Sequence, residues 1–222
     1  MEPEPFDFNT IKDFDKHIEL SVPNYKHIWE IVNLISSYFI LPNTNVYDIG
    51  CSTGLGLKLL SFSNKQDNVN YFGYDISDNM LQNIPQTKHI HIFKKDITEP
   101  TLLFENASLV LSIFTLQFID IKKRLNLLQR IYNGLNPGGS FIIAEKIYVN
   151  NGEFQEIFTF SYYDFKRKSF TDAEIMQKQI DLRYQMKPLS DSENIELFQK
   201  AGFTKIESFF QSLNFKAWLL IK

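Results

Sequence analysis

Val46-Tyr47-Asp48-Ile49-Gly50-Cys51-Ser52-Thr53-Gly54-Leu55-Gly56 decides how the rest of the chain is read. Val46, Tyr47 and Ile49 are β-branched or aromatic, and Pro42-Asn43 marks a turn just before them, so the stretch starts as a strand. It breaks at three glycines and re-enters an apolar run, residues 55–62, that suits a helix. A strand turning on glycine into a helix is expected to present backbone N–H groups and the positive end of a helix dipole. It also lets a ligand approach the main chain with no Cβ in the way. The glycine order matters. A dinucleotide fingerprint reads G-x-G-x-x-G, whereas here Asp48 precedes Gly50-x-x-x-Gly54-x-Gly56. The same letters also fit an ordinary glycine-rich turn, so the surrounding chain has to arbitrate.

Upstream, residues 1–23 scatter Phe6, Phe8, Ile11, Phe14 and Ile18 among charges, an irregular or short helical lead-in closed by Pro23. Ile28, Ile31, Val32, Ile35 and Phe39 then recur at helical steps until Pro42. Together residues 1–42 read as an N-terminal helical cap on a single domain spanning 1–222. Downstream, residues 69–74 form a strand ending at Asp75, and Ser77-Asp78 opens a helix through Met80, Leu81 and Ile84. Residues 90–93 give a third strand running towards Asp96. Residues 108–114 give a fourth, nearly all apolar, as a central parallel strand should be. A helix over about 121–135 leads to the turn signal Asn136-Pro137-Gly138-Gly139 and a fifth strand over 140–144. This alternation argues for βαβ crossovers and a parallel sheet. Residues 152–187 break the rhythm as two aromatic, charged helices, the second opened by Thr171-Asp172-Ala173-Glu174 as a capping box. Such an insert after the fifth strand suits a lid or a subunit contact. A capped helix from Ser190 to Gly202 and two strands, about 205–210 and 214–221, close the chain as an antiparallel hairpin.

Composition excludes several functions. The 222 residues carry a net charge of −3, which leaves no electrostatic footprint for direct nucleic-acid binding. No run approaches the roughly 18 apolar residues of a membrane span. The acidic start is unlike a signal peptide, and the single cysteine, Cys51, suits a reducing compartment. A cytoplasmic protein is expected. The four histidines show no metal spacing, so no metal is expected.

Ligands of open α/β sheets lie across the carboxyl ends of the strands. Three carboxylates fall there. Asp48 is placed to anchor the glycine turn, Asp75 to accept ribose hydroxyls, and Asp96, with the Ile97 N–H, to read an adenine ring. Cys51 beside Gly50 reads as a small buried residue rather than a nucleophile, since no histidine is tied to it. Lys166-Arg167-Lys168 reads as a solvated helix end that could also meet an anionic substrate.

The D-x-G-x-x-x-G-x-G arrangement resembles motif I of class I S-adenosylmethionine-dependent methyltransferases. The resemblance extends through Leu20-Ser21-Val22-Pro23-Asn24-Tyr25, Phe114-Thr115-Leu116-Gln117-Phe118, Leu135-Asn136-Pro137-Gly138-Gly139, Glu145-Lys146 and Asp164-Phe165-Lys166-Arg167. In this order they are similar to the carboxy-S-adenosylmethionine synthase family, which builds a carboxylated cofactor from S-adenosylmethionine and prephenate for modification of the tRNA wobble uridine. The resemblance implies a Rossmann-like class I methyltransferase fold, with a seven-stranded, mostly parallel sheet, a C-terminal antiparallel hairpin and a helical insert after strand five. It implies S-adenosylmethionine as cofactor, a small-molecule substrate and a homodimer. It places Tyr25, Asp48, Gly50, Cys51, Ser52, Gly54, Asp75, Ile76, Asp96, Ile97 and Ile113 around the cofactor. Two positions depart from the family pattern: Ile113 stands where the family has Asn, and Gln179 stands where it has the Arg that holds the product's extra carboxylate. A neutral Gln does not replace a guanidinium. Tyr163, Arg167, Gln179 and Arg183 are the substrate candidates, with Arg183 a possible substitute for the missing cation. The expected function is therefore methyl transfer to a small-molecule or nucleotide acceptor by a close relative of the synthases. The alternatives are genuine carboxy-cofactor synthesis and a non-catalytic cofactor-binding subunit.

Overall fold

The computed structural model describes residues 13–82, 84 and 87–222. The expected apolar positions Phe6, Phe8 and Ile11 lie outside the described residues. Helix α1 (Phe14–Ser21) starts where the Asp13 carboxylate accepts the Lys16 N–H. Helix α2 (Tyr25–Ser36) buries Tyr25, Ile28, Trp29 and Val32 along one face. It ends short of Phe39, because the Ser37 hydroxyl donates to the Leu34 carbonyl and the last turns tighten towards the next strand.

Strand β1 (Asn45–Ile49) enters the glycine turn and helix α3 (Leu55–Ser63) leaves it. Strand β2 (Asn70–Asp75) is followed by α4 (Asp78–Leu81), a single turn where a longer helix was expected. Strand β3 (Ile90–Lys94), strand β4 (Ala107–Ile113), helix α5 (Ile121–Gly134) and strand β5 (Leu135–Tyr148) complete the alternation. The two insert helices are α6 (Gly152–Lys166) and α7 (Asp172–Leu182), with the Thr171–Glu174 capping box in place. A two-residue strand β6 (Leu189–Ser190), helix α8 (Asp191–Ala201) and the hairpin β7 (Lys205–Ser212), β8 (Phe215–Ile221) finish the chain.

The sheet order is β3-β2-β1-β4-β5-β8-β7. Neighbours are parallel from β3 to β5 and antiparallel across β5–β8 and β8–β7. Strand β6, unforeseen in the sequence, pairs parallel with the far end of β5 through Ile147 and Tyr148. Asn136-Pro137-Gly138-Gly139 is a bulge rather than a separate turn. The register jumps there from Ala107 opposite Leu135 to Leu109 opposite Ser140, and the Lys222 main chain bonds Gly138 and Gly139. Alternation along β4 explains its run of apolar residues. Leu109 and Leu111 face the α2–α3 side of the sheet, and Val110 faces the α5–α8 side.

Candidate cofactor and substrate site

A cavity of about 1180 Å³ opens across the carboxyl ends of β1 to β5 and runs under the insert helices. Tyr25, Asp48, Gly50, Cys51, Ser52, Asp75, Ile76, Asp96, Ile97 and Ile113 all line it. Gly54 does not, and sits one step behind the wall against Ile84.

The glycine turn is held from inside. The Gly50 and Cys51 N–H groups donate to the Tyr74 carbonyl (2.7 and 3.0 Å), and the Gly54 N–H to the Cys51 carbonyl (2.8 Å). The Asp75 carboxylate accepts the Ser52 N–H (2.9 Å) and the Ser77 N–H (3.0 Å). Two expectations change accordingly. The N–H groups of Gly50, Cys51 and Ser52 are spent welding the turn to β2 and that of Gly54 closes the turn on itself, so none of the four is offered to a ligand. Asp75, not Asp48, anchors the turn, because β2 ends level with it while Asp48 lies buried beneath Gly56. Gly50 and Gly54 take left-handed φ of +74° and +73°. A Cβ on Gly50 would sit 2.2 Å from Thr115 Oγ1, so the space left by this glycine is filled by the T-L-Q-F segment.

Asp75 is half-exposed and still has lone pairs to offer ribose hydroxyls. Asp96 accepts the Thr98 N–H at 2.8 Å. Burial works against its ionisation, yet the Thr98 bonds, Lys123 and Arg130 hold its carboxyl below the usual range. Asp48 is the reverse: burial, with Asp75 nearby, raises it to about 7. Cys51 is buried, and burial pushes its thiol up, as suits a packing residue. Among the described residues no cluster of metal ligands occurs.

The T-L-Q-F segment forms a 3-10 turn, Leu116–Phe118, that couples the insert to β5. Buried Glu145 accepts the Leu116 N–H (2.9 Å), and the Gln117 side-chain oxygen accepts the Lys146 N–H (2.8 Å). Buried Arg124 donates to the carbonyls of Ile119, Gln117 and Lys187 at 2.9, 3.2 and 2.7 Å.

The substrate candidates divide. Gln179 lines the cavity, whereas Tyr163, Arg167 and Arg183 do not. Tyr163 packs against the Phe160 and Tyr162 rings. Arg167 is exposed and bonds Asp164 and Asp172, both at 2.6 Å, because α7 starts where α6 ends. Arg183 caps the C-terminus of α7. Among the described residues, no arginine lines the cavity. Its cations under the insert are instead Lys146 on β5, Lys166 on α6 and Lys178 on α7, none of them singled out as a site residue from sequence. The run Lys166-Arg167-Lys168 reads from sequence as a solvated helix end that could also meet an anionic substrate. Lys166 is only 3% exposed and lines the cavity, so the solvated reading fails for it. The available signal was its position one turn after Tyr162, on the helix face turned inward.

A glycine turn, strand-end Asp75 and Asp96 and this sheet order define a class I S-adenosylmethionine-dependent methyltransferase fold. The methyltransferase domain model matches residues 46–139. The human N-acetylserotonin methyltransferase, solved with S-adenosylmethionine, aligns over 89% of this chain and 53% of its own, at TM-score 0.58 and 16% identity. A structure of a Haloferax volcanii Trm112 methyltransferase activator with a methyltransferase aligns over 94% of this chain and 93% of that one, at TM-score 0.64 and 16% identity. The sequence is more particular. A carboxy-S-adenosyl-L-methionine synthase of Staphylococcus epidermidis is 41% identical over 96% of this chain and 94% of its own length. Those of Trichodesmium erythraeum and Histophilus somni are 36% and 34% identical, each over at least 98% of this chain and 90% of their own. The chain belongs to the carboxy-S-adenosyl-L-methionine synthase family. It is an S-adenosylmethionine-dependent transferase. No helix among the described residues is long and apolar enough to cross a membrane.

Proposed function

We propose that this enzyme converts S-adenosylmethionine to its carboxylated form, using prephenate as the carboxylate donor, and so supplies tRNA wobble-uridine modification in the cytoplasm. The observation that carries this reading is the size of the cavity at the carboxyl ends of the strands. Its volume of about 1180 Å³ exceeds the roughly 300–1,000 Å³ of an ordinary ligand pocket, so cofactor and a second small molecule fit together. S-adenosylmethionine supplies an activated sulfonium-bound methyl carbon. The protein holds its ribose on Asp75, its adenine at Asp96 and Ile97, and its methionine part between Tyr25 and the glycine turn. Carboxylation exchanges a methyl C–H for a C–C bond, and the balance closes on prephenate. Prephenate loses carbon dioxide and hydroxide to become phenylpyruvate, the hydroxide takes the methyl proton as water, and the carbon dioxide joins the methyl carbon. The protein's part is positioning and exclusion of bulk water. Exposed Phe154, Ile157 and Phe160 on α6 and Met176 on α7 support pairing of two copies through the insert.

Incubating purified protein with S-adenosylmethionine and prephenate, and following the carboxylated product by mass spectrometry, tests this reading. Absence of prephenate-dependent product overturns it. Gln179 favours a second reading, plain methyl transfer, because it faces the cavity where the family carries a guanidinium. On that reading, wild type co-purifies with S-adenosylmethionine or S-adenosylhomocysteine and not the carboxylated form, and Gln179→Arg raises affinity for the carboxylated cofactor by about 1.5–3 kcal/mol.

A further inference from the structure

Lys146, Lys166 and Lys178 come from three separate elements and meet on one wall of the cavity. The Lys146 and Lys166 ammonium groups stand 4.9 and 5.7 Å from the centre of the same Tyr162 ring, and Lys166 also lies 5.2 Å from the Phe170 ring. Aromatic faces make a cation tolerable in a buried place, but they neutralise nothing. Among the described residues, neither Lys146 nor Lys166 forms an ion pair with a carboxylate. Lys178 has Asp181 one turn along its helix. The remaining titratable neighbour, His17 on α1, packs edge-on to Phe170 and is lowered to about 4 by burial and then by Lys178 and Lys166. It therefore stays neutral and adds no charge at pH 7.

The other lysines of the cavity wall differ in kind: Lys122, Lys123 and Lys187 are exposed, and Lys95 has a carboxylate partner. Lys95 pairs with Glu99 (3.7 Å), Lys123 reaches the Thr98 hydroxyl (3.3 Å), and Lys187 reaches the Arg183 carbonyl (3.4 Å). Holding the Lys146 and Lys166 charges together in a half-dry wall, with no carboxylate paired to either among the described residues, is unfavourable unless something anionic completes them. Burial, then Lys166, pushes the Lys146 ammonium down to about 8, and burial, then Lys166, pushes Lys178 down to about 7. Lys146 is also the residue whose main chain is fixed by Gln117, so the cluster has a defined place relative to the cofactor end.

We propose that Lys146, Lys166 and Lys178 form an anion subsite that seats the carboxylates of the co-substrate and thereby decides which co-substrate this enzyme accepts. This rests on the two-substrate reading above and locates its second half. It replaces one bidentate guanidinium with separate ammonium groups, two of them over the Tyr162 ring, so Gln179 is not required to carry charge. Ammonium groups bind a carboxylate without the planar register of arginine. The subsite therefore favours ligands carrying two separated carboxylates over those carrying one.

The full-length protein, loaded with S-adenosylhomocysteine, is titrated calorimetrically with prephenate and, separately, with malonate as a plain dicarboxylate probe. Wild type is expected to bind both. Lys146→Met and Lys166→Met are each expected to weaken both by about tenfold or more, while S-adenosylmethionine affinity moves less than about threefold. Lys146→Arg and Lys166→Arg keep the charge and are expected to retain most of the dicarboxylate affinity. They also decide the matter if a methionine variant fails to fold. Wild type that binds neither dicarboxylate overturns the proposal, as does a folded methionine variant that binds them as wild type does. An arginine variant that keeps the cofactor but loses both dicarboxylates overturns it too. If malonate binds in a lysine-dependent way but prephenate gives no product, the subsite stands and the carboxy-cofactor reading falls. If prephenate is turned over and the lysine variants leave its KM unchanged, the reverse holds.

Discussion

The two ends of the cavity are built on opposite plans. At the glycine turn, Gly50, Cys51, Ser52 and Gly54 have their N–H groups satisfied within the fold, and the Asp75 carboxylate is already half-used. Under the insert, Lys146 and Lys166 are half-buried and buried against ring faces and, among the described residues, form no ion pair with a carboxylate. One end is finished before a ligand arrives, and the other is electrostatically incomplete without one. The first therefore recognises a constant ligand by fixed geometry. The second recognises charge, and its specificity can change by one side chain without disturbing the sheet.

The largest effect is expected where the finished end is overfilled. Gly50→Ala places a methyl 2.2 Å from Thr115 Oγ1 on a residue at φ +74°. Overpacking and left-handed strain together should cost about 3 kcal/mol of stability, read by urea unfolding. A loss under about 1 kcal/mol would mean the turn is softer than its hydrogen bonds suggest. Asp75→Ala comes next. It removes a charged acceptor and frees the Ser52 and Ser77 N–H groups, so S-adenosylmethionine affinity should fall by roughly 2 kcal/mol or more. Asp96→Ala should cost less, since the Ile97 main chain still faces the adenine position. Calorimetry that ranks the two the other way round reverses their roles.

The incomplete end should respond to pH where the finished end does not. Lys178 and Lys146 titrate at about 7 and 8 in the free protein, below the ordinary lysine value, so deprotonation removes positive charge between pH 7 and 9. Dicarboxylate affinity should therefore fall severalfold over that range, with proton uptake on binding at its lower end. Lys166 and neutral His17 face the same wall and Asp181 opposes the shift, so the profile belongs to the cluster rather than to one lysine. For the free protein the sign is opposite. The unfolded chain holds more lysine protons above pH 8, so these two groups make stability rise from pH 8 towards 10. A flat dicarboxylate profile would erase the contrast between the two ends. The smallest effect is expected at Arg167. It is exposed and committed to Asp164 and Asp172, so Arg167→Ala should change KM for either substrate by less than about twofold in steady-state assays.

The sequence by itself determined the sheet, the glycine turn and the strand-end carboxylates. Those signals are local: β-branched runs, glycines that leave a strand, and capping boxes at Thr171 and Ser190 each report on their own few residues. It also located the odd residue, Gln179, but weighed it alone, as a lost cation. It offered Arg183 because that residue lies one helical turn beyond Gln179, and Arg167 because it stands in the basic run Lys166-Arg167-Lys168. Only the tertiary structure decided that both stay off the cavity, that a strand lysine and a helix lysine converge on the Tyr162 ring, and that Lys178 of a second helix lines the same cavity. The same holds for Asp75, whose bonds to Ser52 and Ser77 arise because β1 and β2 end level. No periodicity within one element encodes a meeting between β5, α6 and α7. It depends on how Arg124, Glu145 and Gln117 tie the insert to the sheet, and a charge's partners are set by where the folded chain brings it.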